Sequence, residues 1–428
     1  MDKLIRRFGR IVGSNIAVNP GRSRLLLKAG FAASGIKIKY FPDDRLLANQ
    51  KYASLVCNEN IRYSLSNPES SAVVNIFFPC ELLHAAGIVP EFVEGMSGYL
   101  NGAGSEGYFI NYAENRGIPG TYCSYHKALL GAAFSGVIPG PRFIINTTLA
   151  CDANITTFRS LAEFWGVPQF TLDIPGSNSD KAVTYVEKQL REAASFIADI
   201  TGREFNETKF KEIIKRENHS MEMYQEYFKE LSRKYIPNDL TSEMYKLFFT
   251  HVLNGTKEAE EYFKLLLEDA RKAKSAGDKI RIIWCHTLPY WQKSIRDIFN
   301  NSSKYQLLCT ELNYDTVIEL DEKNPFRSLA VKLLDNHMRG PAERRAEKLL
   351  QIAKYLKADG VIYFNHWGCK KTLGASGLVR KKLENNKFPV LILNGDGCDR
   401  DNINDGQMVT RLQAFLEILE GRNNEICL

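Results

Sequence analysis

A chain of 428 residues that is 44% hydrophobic and 25% charged has the composition of a globular protein, which excludes a disordered or collagen-like polymer; at about 150 residues per domain it divides into two or three domains. Its 56 Lys and Arg against 50 Asp and Glu leave a net charge of +6, read here as well mixed along the chain. No basic stripe or aromatic-rich basic motif marks a nucleic-acid surface. No apolar run approaches the ~20 residues a bilayer crossing needs, and the basic start MDKLIRRFGRIVGSN lacks the apolar core and cleavage site of a secretion signal. The expected place is the cytoplasm, with no membrane partner.

In chain order, residues 1–70 read as a mostly helical segment, interrupted at Pro20-Gly21 and closed by the Ser/Asn/Pro cluster near Asn67–Ser71. Residues 71–200 read as a first α/β domain. Ala72–Phe78, Val89–Val93, Arg142–Asn146 and Gln169–Asp173 are short apolar strands, with helical spacing in Glu81–Gly87 and Ile155–Gly166. Residues 201–278 change character: Phe210, Ile213, Ile214, Met221, Tyr224 and Phe228 recur at three- and four-residue steps among Lys and Glu, the signature of amphipathic helices. Residues 279–428 start the first pattern again. Ile280–Trp284, Tyr305–Leu308, Gly360–Asn365 and Phe388–Leu393 are the strands, and Ser294–Phe299, Arg344–Ala358 and Gln407–Leu419 the helices. The expected fold class is α/β: two similar Rossmann-like, doubly wound parallel-sheet domains with a helical segment between them.

Nine cysteines, an odd number spread over a chain without a secretion signal, point to a reducing compartment rather than a disulfide scaffold. Their positions repeat between the halves. Cys80 and Cys285 follow first strands, Cys151 and Cys369 follow RFIIN and GVIYFN, Cys398 follows FPVLIL, and Cys123 precedes RFIIN. Ligands of open parallel sheets bind beyond the carboxyl ends of the strands, so Cys80, Cys123, Cys151, Cys285, Cys369 and Cys398 are candidate metal ligands on one rim. Three thiolates per half favour iron–sulfur clusters over zinc. No compact C-x₂-C motif is present, so spacing alone leaves equally open that these are small buried core residues. Cys57, Cys309 and Cys427 are assigned to that core role. The pairs Cys123/His126 and Cys285/His286 and His366/Cys369 lack the paired spacing of a structural zinc site; the histidines are read as hydrogen-bond partners of sulfur.

Two further motifs carry no chemistry. Gly102-Ala-Gly104-Ser-Glu-Gly107 matches G-x-G-x-x-G without a preceding strand or a following acid, and reads as a flexible loop. No G-x-x-x-x-G-K-[ST] occurs, so the chain has no P-loop for ATP. His84 falls on the helical face of Cys80 and reads as a first-turn residue.

The run PCELLHAAGIVP (Pro79–Pro90) resembles the P-x-E-L-x-x-A-A-G motif of the 2-hydroxyacyl-CoA dehydratase and benzoyl-CoA reductase family. The similarity continues through Cys123 in TYCSYHKALLGA, Cys151 in NTTLACD and Cys369 in NHWGCKKT, from about residue 70 to the end. It implies a [4Fe–4S] cluster on Cys123, Cys151 and Cys369. The extra Cys80, Cys285 and Cys398 are similar to the double-cubane proteins of that superfamily, and imply two cubanes sharing a sulfide, [8Fe–9S], on six cysteines; Cys309 competes with Cys285 for the sixth place. The resemblance implies an oxygen-sensitive homodimeric oxidoreductase that takes low-potential electrons from a separate ATP-dependent iron–sulfur activator and reduces a small-molecule substrate. The alternatives are a [4Fe–4S] subunit of a CoA-ester dehydratase or reductase, and a non-enzymatic electron carrier.

Overall fold

The computed structural model describes residues 2–315 and 317–426, and Cys427 lies outside the described residues. Two four-stranded parallel sheets carry the fold. The first contains β1 (Ser71–Val74), β2 (Val89–Phe92), β3 (Phe143–Thr147) and β4 (Gln169–Leu172), in the order β2-β1-β3-β4. A short antiparallel pair, β5 (Lys234–Tyr235) with β6 (Lys274–Ser275), ties together the ends of the helical middle. The second sheet contains β7 (Ile280–Cys285), β8 (Tyr305–Thr310), β9 (Gly360–His366) and β10 (Val390–Gly395), in the order β10-β9-β7-β8. Counted within each half, both sheets run second, first, third, fourth. The repeat read from the sequence is therefore a repeat of topology, and the switch point of each sheet lies between its first and third strands.

Both faces of each sheet are covered, as parallel sheets require. Side chains alternate along a strand, so Ala72 and Val74 enter one core and Val73 another. Likewise Ile283 and Cys285 face a central core, and Ile282 and Trp284 an outer one under the helix Asp405–Ile426. The central core is continuous. It joins Val74 and Phe143 of the first sheet to Ile283 and Tyr363 of the second through the helices Asp180–Thr201, Glu207–Leu231 and Lys257–Lys272. The amphipathic middle is thus a wedge between the halves. It begins earlier than its periodicity suggested, with Ser179 capping its first helix by accepting from the Ala182 N–H.

Three details differ from the sequence reading. The first strand stops at Val74 instead of Phe78, because Asn75 turns its side chain onto the neighbouring strand, accepting from the Thr147 N–H at 2.8 Å and donating to the Leu149 carbonyl at 2.8 Å. The Gly102–Gly107 stretch is not a flexible loop but a tight turn between the helices Val93–Gly102 and Glu106–Glu114. Gly104 has φ +67° there, and a Cβ on Gly9 would lie 1.8 Å from its carbonyl oxygen, so the helix Asp2–Gly13 docks directly on the turn. His84 is half-buried and donates to the Val252 carbonyl at 2.8 Å, joining its helix to the middle segment.

Candidate functional site

Three cysteines, the outermost 246 residues apart in sequence, open three helices onto one cavity: Cys123 and Cys151 from the first half and Cys369 from the second. Cys123 precedes the helix Ser124–Phe134, Cys151 follows β3 and precedes Asp152–Trp165, and Cys369 follows β9 and precedes Lys370–Asn385. Each thiol therefore sits at the partly positive end of a helix, where an anionic sulfur is favoured. The cavity measures about 670 Å³ and is mostly apolar, with Ile76, Phe77, Phe92 and Phe248 among its walls.

Histidines contact two of the sulfurs. Gly397 donates its N–H to His366 Nδ1 at 3.0 Å, so the neutral ring carries its hydrogen on Nε2, 3.3 Å from Cys123 Sγ. His286 Nε2 is 3.6 Å from Cys369 Sγ, and the two rings stack with centroids 5.9 Å apart. Thr372 Oγ1 is 3.3 Å from Cys369 Sγ and accepts from Arg345, which is paired with Glu311. Burial holds His366 and His286 below the ordinary histidine range and His126 at about 4, so these rings stay neutral. Burial, then the charge of neighbouring Cys369, pushes the Cys151 thiol up to about 12, and Cys123 is raised by burial and then by Cys151 and Cys369. Without a positive ion the Cys123 and Cys151 sulfurs are thiols; a metal would make thiolates of them.

The halves meet tightly here. Asp396, after β10, accepts from Ser124 Oγ at 2.5 Å and from the N–H groups of Cys398 and Asp399 at 2.9 and 2.8 Å. Gly368 has φ +84°, and a Cβ on it would lie 2.7 Å from the backbone N and Cα of Cys123.

The six cysteines expected on one rim are divided. Cys80, Cys285 and Cys398 are buried but are not among the residues lining the cavity. Cys80 lies beside Glu81, which pairs with Lys332. Cys285 faces the central core with Cys309, near Glu311 and Arg345. Cys398 packs with Cys123, Tyr125 and Ile110. Cys57 is buried in the central core, as assigned. Among the described residues, no three His, Cys, Asp or Glu side chains converge closely enough to hold a single metal ion.

One site residue escaped the sequence reading. Glu94, in the first turn of Val93–Gly102, lines the cavity; burial pushes its carboxyl up to about 7, and its Oε2 is buried without a hydrogen-bond partner. Nothing in VPEFVEGMSG distinguishes it from the other acids of the sequence.

Residues 75–419 match the family model described as 2-hydroxyglutaryl-CoA dehydratase, D-component. The chain belongs to this dehydratase family. Its matched span takes in every strand of the two sheets except β1, and all three cavity cysteines. Among relatives, it is similar to the (R)-phenyllactyl-CoA dehydratase alpha subunit of Clostridium sporogenes, 23% identical over 80% of this chain and 88% of that one. It is also similar to lactoyl-CoA dehydratase subunit alpha of Anaerotignum propionicum, 24% identical over 83% and 89%. The (R)-2-hydroxyisocaproyl-CoA dehydratase alpha subunit of Clostridioides difficile is 22% identical over 72% and 80%. No helix among the described residues is long and apolar enough to cross a membrane.

Proposed function

We propose that this chain is an iron–sulfur subunit of a 2-hydroxyacyl-CoA dehydratase-type enzyme, holding a [4Fe–4S] cluster on Cys123, Cys151 and Cys369. The observation that carries this reading is the convergence of those three thiols, from three helix N-termini, on one apolar cavity. The donor set suits the group: thiolates are the usual ligands of such clusters, and the thiols do not close on a single ion. A three-cysteine cluster supplies low-potential electrons and a Lewis-acidic iron. His366, His286 and Thr372 hydrogen-bond the sulfurs and set their orientation and charge. The apolar walls keep water from a bound thioester. Glu94 holds or takes a proton at the cavity wall as the 2-hydroxyacyl group loses water. With no P-loop in the sequence, the electron that starts turnover comes from a separate ATP-hydrolysing iron–sulfur activator. The relatives named above are alpha subunits, which favours a second, different subunit over a homodimer.

The [8Fe–9S] reading on six cysteines has one observation in its favour, the packing of Cys398 against Cys123. Iron and acid-labile sulfide on anaerobic protein separate the two. About four iron per chain, lost on Cys123→Ser, Cys151→Ser or Cys369→Ser and kept on Cys80→Ser and Cys285→Ser, is the expected result. About eight iron, falling by half on Cys80→Ser, would overturn the three-cysteine proposal.

A further inference from the structure

The positive charge of this protein is concentrated at one end. Residues 1–41 hold nine Lys and Arg against one Asp, a net of +8, whereas the other 387 residues hold 47 basic and 49 acidic side chains, a net of −2. The even mixing read from the whole chain fails for these 41 residues. Among the described residues, Lys3, Arg6, Arg7, Arg10, Arg22, Lys37 and Lys39 are exposed, and none of them appears in an ion pair with an acidic side chain.

The helix Pro20–Tyr40 has two apolar faces. Ser23, Leu27 and Gly35 are buried on one: Ser23 donates to the Val12 carbonyl of the first helix at 2.8 Å, and Gly35 lies against Asn58 of the helix Ala48–Ser64, which donates to the Phe31 carbonyl at 3.1 Å. On the opposite face Leu25, Ala29, Ala33, Ile36 and Tyr40 recur at three- and four-residue steps, and all five are exposed. Leu25 is 68%, Ile36 58% and Tyr40 65% accessible. A solvated helix has no need of such a stripe, which is the pattern of a seam that packs on another helix. Its central alanines let a second backbone approach closely between the larger ends. This helix and Asp2–Gly13 also wall the cavity mouth, through Phe31 and Ala33 of the one and Ile5 and Phe8 of the other, so the seam adjoins the cavity at Ala33.

We infer that this seam is the docking surface for a helix with acidic flanks on a protein other than this chain, a proposal that stands without the dehydratase reading. Helical spacing selects a helix as occupant. Charge complementarity selects an acidic one, since a second copy would set one +8 segment against another. A bilayer gains little from a groove whose middle is alanine, because interfacial binding scales with the apolar area inserted.

The test uses the full chain and a synthetic 21-residue helical peptide with a Leu/Ala seam and Glu flanks, a matched peptide with Lys flanks, and phosphatidylglycerol vesicles. Fluorescence anisotropy is expected to show binding of the Glu-flanked peptide, weakened about tenfold or more between about 0.05 and 0.5 M salt. Leu25→Asp and Ile36→Asp are expected to weaken it at least about tenfold, with the melting temperature unchanged. Arg22→Glu with Lys39→Glu is expected to shift preference toward the Lys-flanked peptide. Equal binding of the two peptides, or no binding of the Glu-flanked one, overturns the inference. So does vesicle binding without peptide binding, or self-association in sedimentation velocity that Ile36→Asp abolishes.

Discussion

Glu94 owes its reluctance to ionise to its place in the fold. It stands in the first turn of a helix whose other residues pack inward, and its carboxyl is taken out of water with one oxygen unpartnered. A carboxyl near 7 exchanges a proton with a bound molecule at little cost on either side of neutrality, which is what a proton-carrying group needs. Glu94→Gln is expected to lower kcat by about 10²-fold or more with the iron content unchanged. If the ionised form accepts the proton, wild-type activity rises with pH through about 7 and the variant loses that limb; a wild-type profile flat from pH 6 to 8 would remove Glu94 from the reaction. That Cys123, Cys151 and Cys369 come to one place could be read in advance, because strand ends and a family motif point to them; that Cys80, Cys285 and Cys398 do not line the same cavity could not. Glu94 could not be picked out either, because burial is a property of the fold and a carboxylate in a polar-looking run carries no mark of it. Cys285 shows the opposite error. It ends its strand as expected, but the two-residue alternation gives it the parity of Ile283, so it enters the central core.

At the scale of elements, what brings the two halves together is a contact between loops that end in cysteine. Gly368 lets the turn after β9 lie against the backbone of Cys123 in a conformation that L side chains rarely adopt. Gly368→Ala is expected to destabilise the fold by about 1–3 kcal/mol and to lower iron content more than the loss of stability accounts for, read by calorimetry and iron analysis on the same sample. Gly374→Ala, whose Cβ would meet nothing within 4 Å on the helix Lys370–Asn385, is the matched control and should be neutral or slightly stabilising. The strands were readable from short apolar runs, and all eight principal strands appear near their expected places. The helices Val93–Gly102, Glu106–Glu114 and Ser124–Phe134 were not: the first two are only ten and nine residues long, and the third is buried nearly all round, which leaves no polar stripe for periodicity to detect.

At the scale of the whole molecule, buried ionisable groups set how stability follows pH. Burial pushes Glu91, Glu94 and Glu106 up to about 7. The folded state therefore holds protons that the unfolded chain has lost between about 4.5 and 7, and stability falls as pH rises through that window. His84, His286, His337 and His366 are lowered by burial, so below the ordinary histidine pKa the unfolded chain binds the extra protons and stability rises with pH. The two trends oppose each other up to about pH 6.5, and above it only the carboxyl trend remains. The melting temperature of metal-free protein is expected to fall between pH 6.5 and 8, and Glu91→Gln should flatten that decline; a melting temperature that climbs across the interval would contradict the assignment. Both α/β halves and their helical wedge could be read from sequence, because each covers many residues with one period. The close contact of the halves at the cavity could not, since it rests on single residues such as Gly368 and Asp396, which carry no period.

Cys151 and Cys369 occupy equivalent stations after the third strands of the two repeated sheets, while Cys123 belongs to the first half alone. On the three-cysteine reading this fixes an order of events during synthesis. A growing chain that has completed its first sheet displays two of the three sulfurs and nothing to finish the set, so it cannot capture the cofactor prematurely or hold a damaged one. The last sulfur arrives some two hundred residues later, on a helix that must first settle against the finished first half. On that reading, insertion of iron would be the closing act of assembly, possible only once both halves have folded and met.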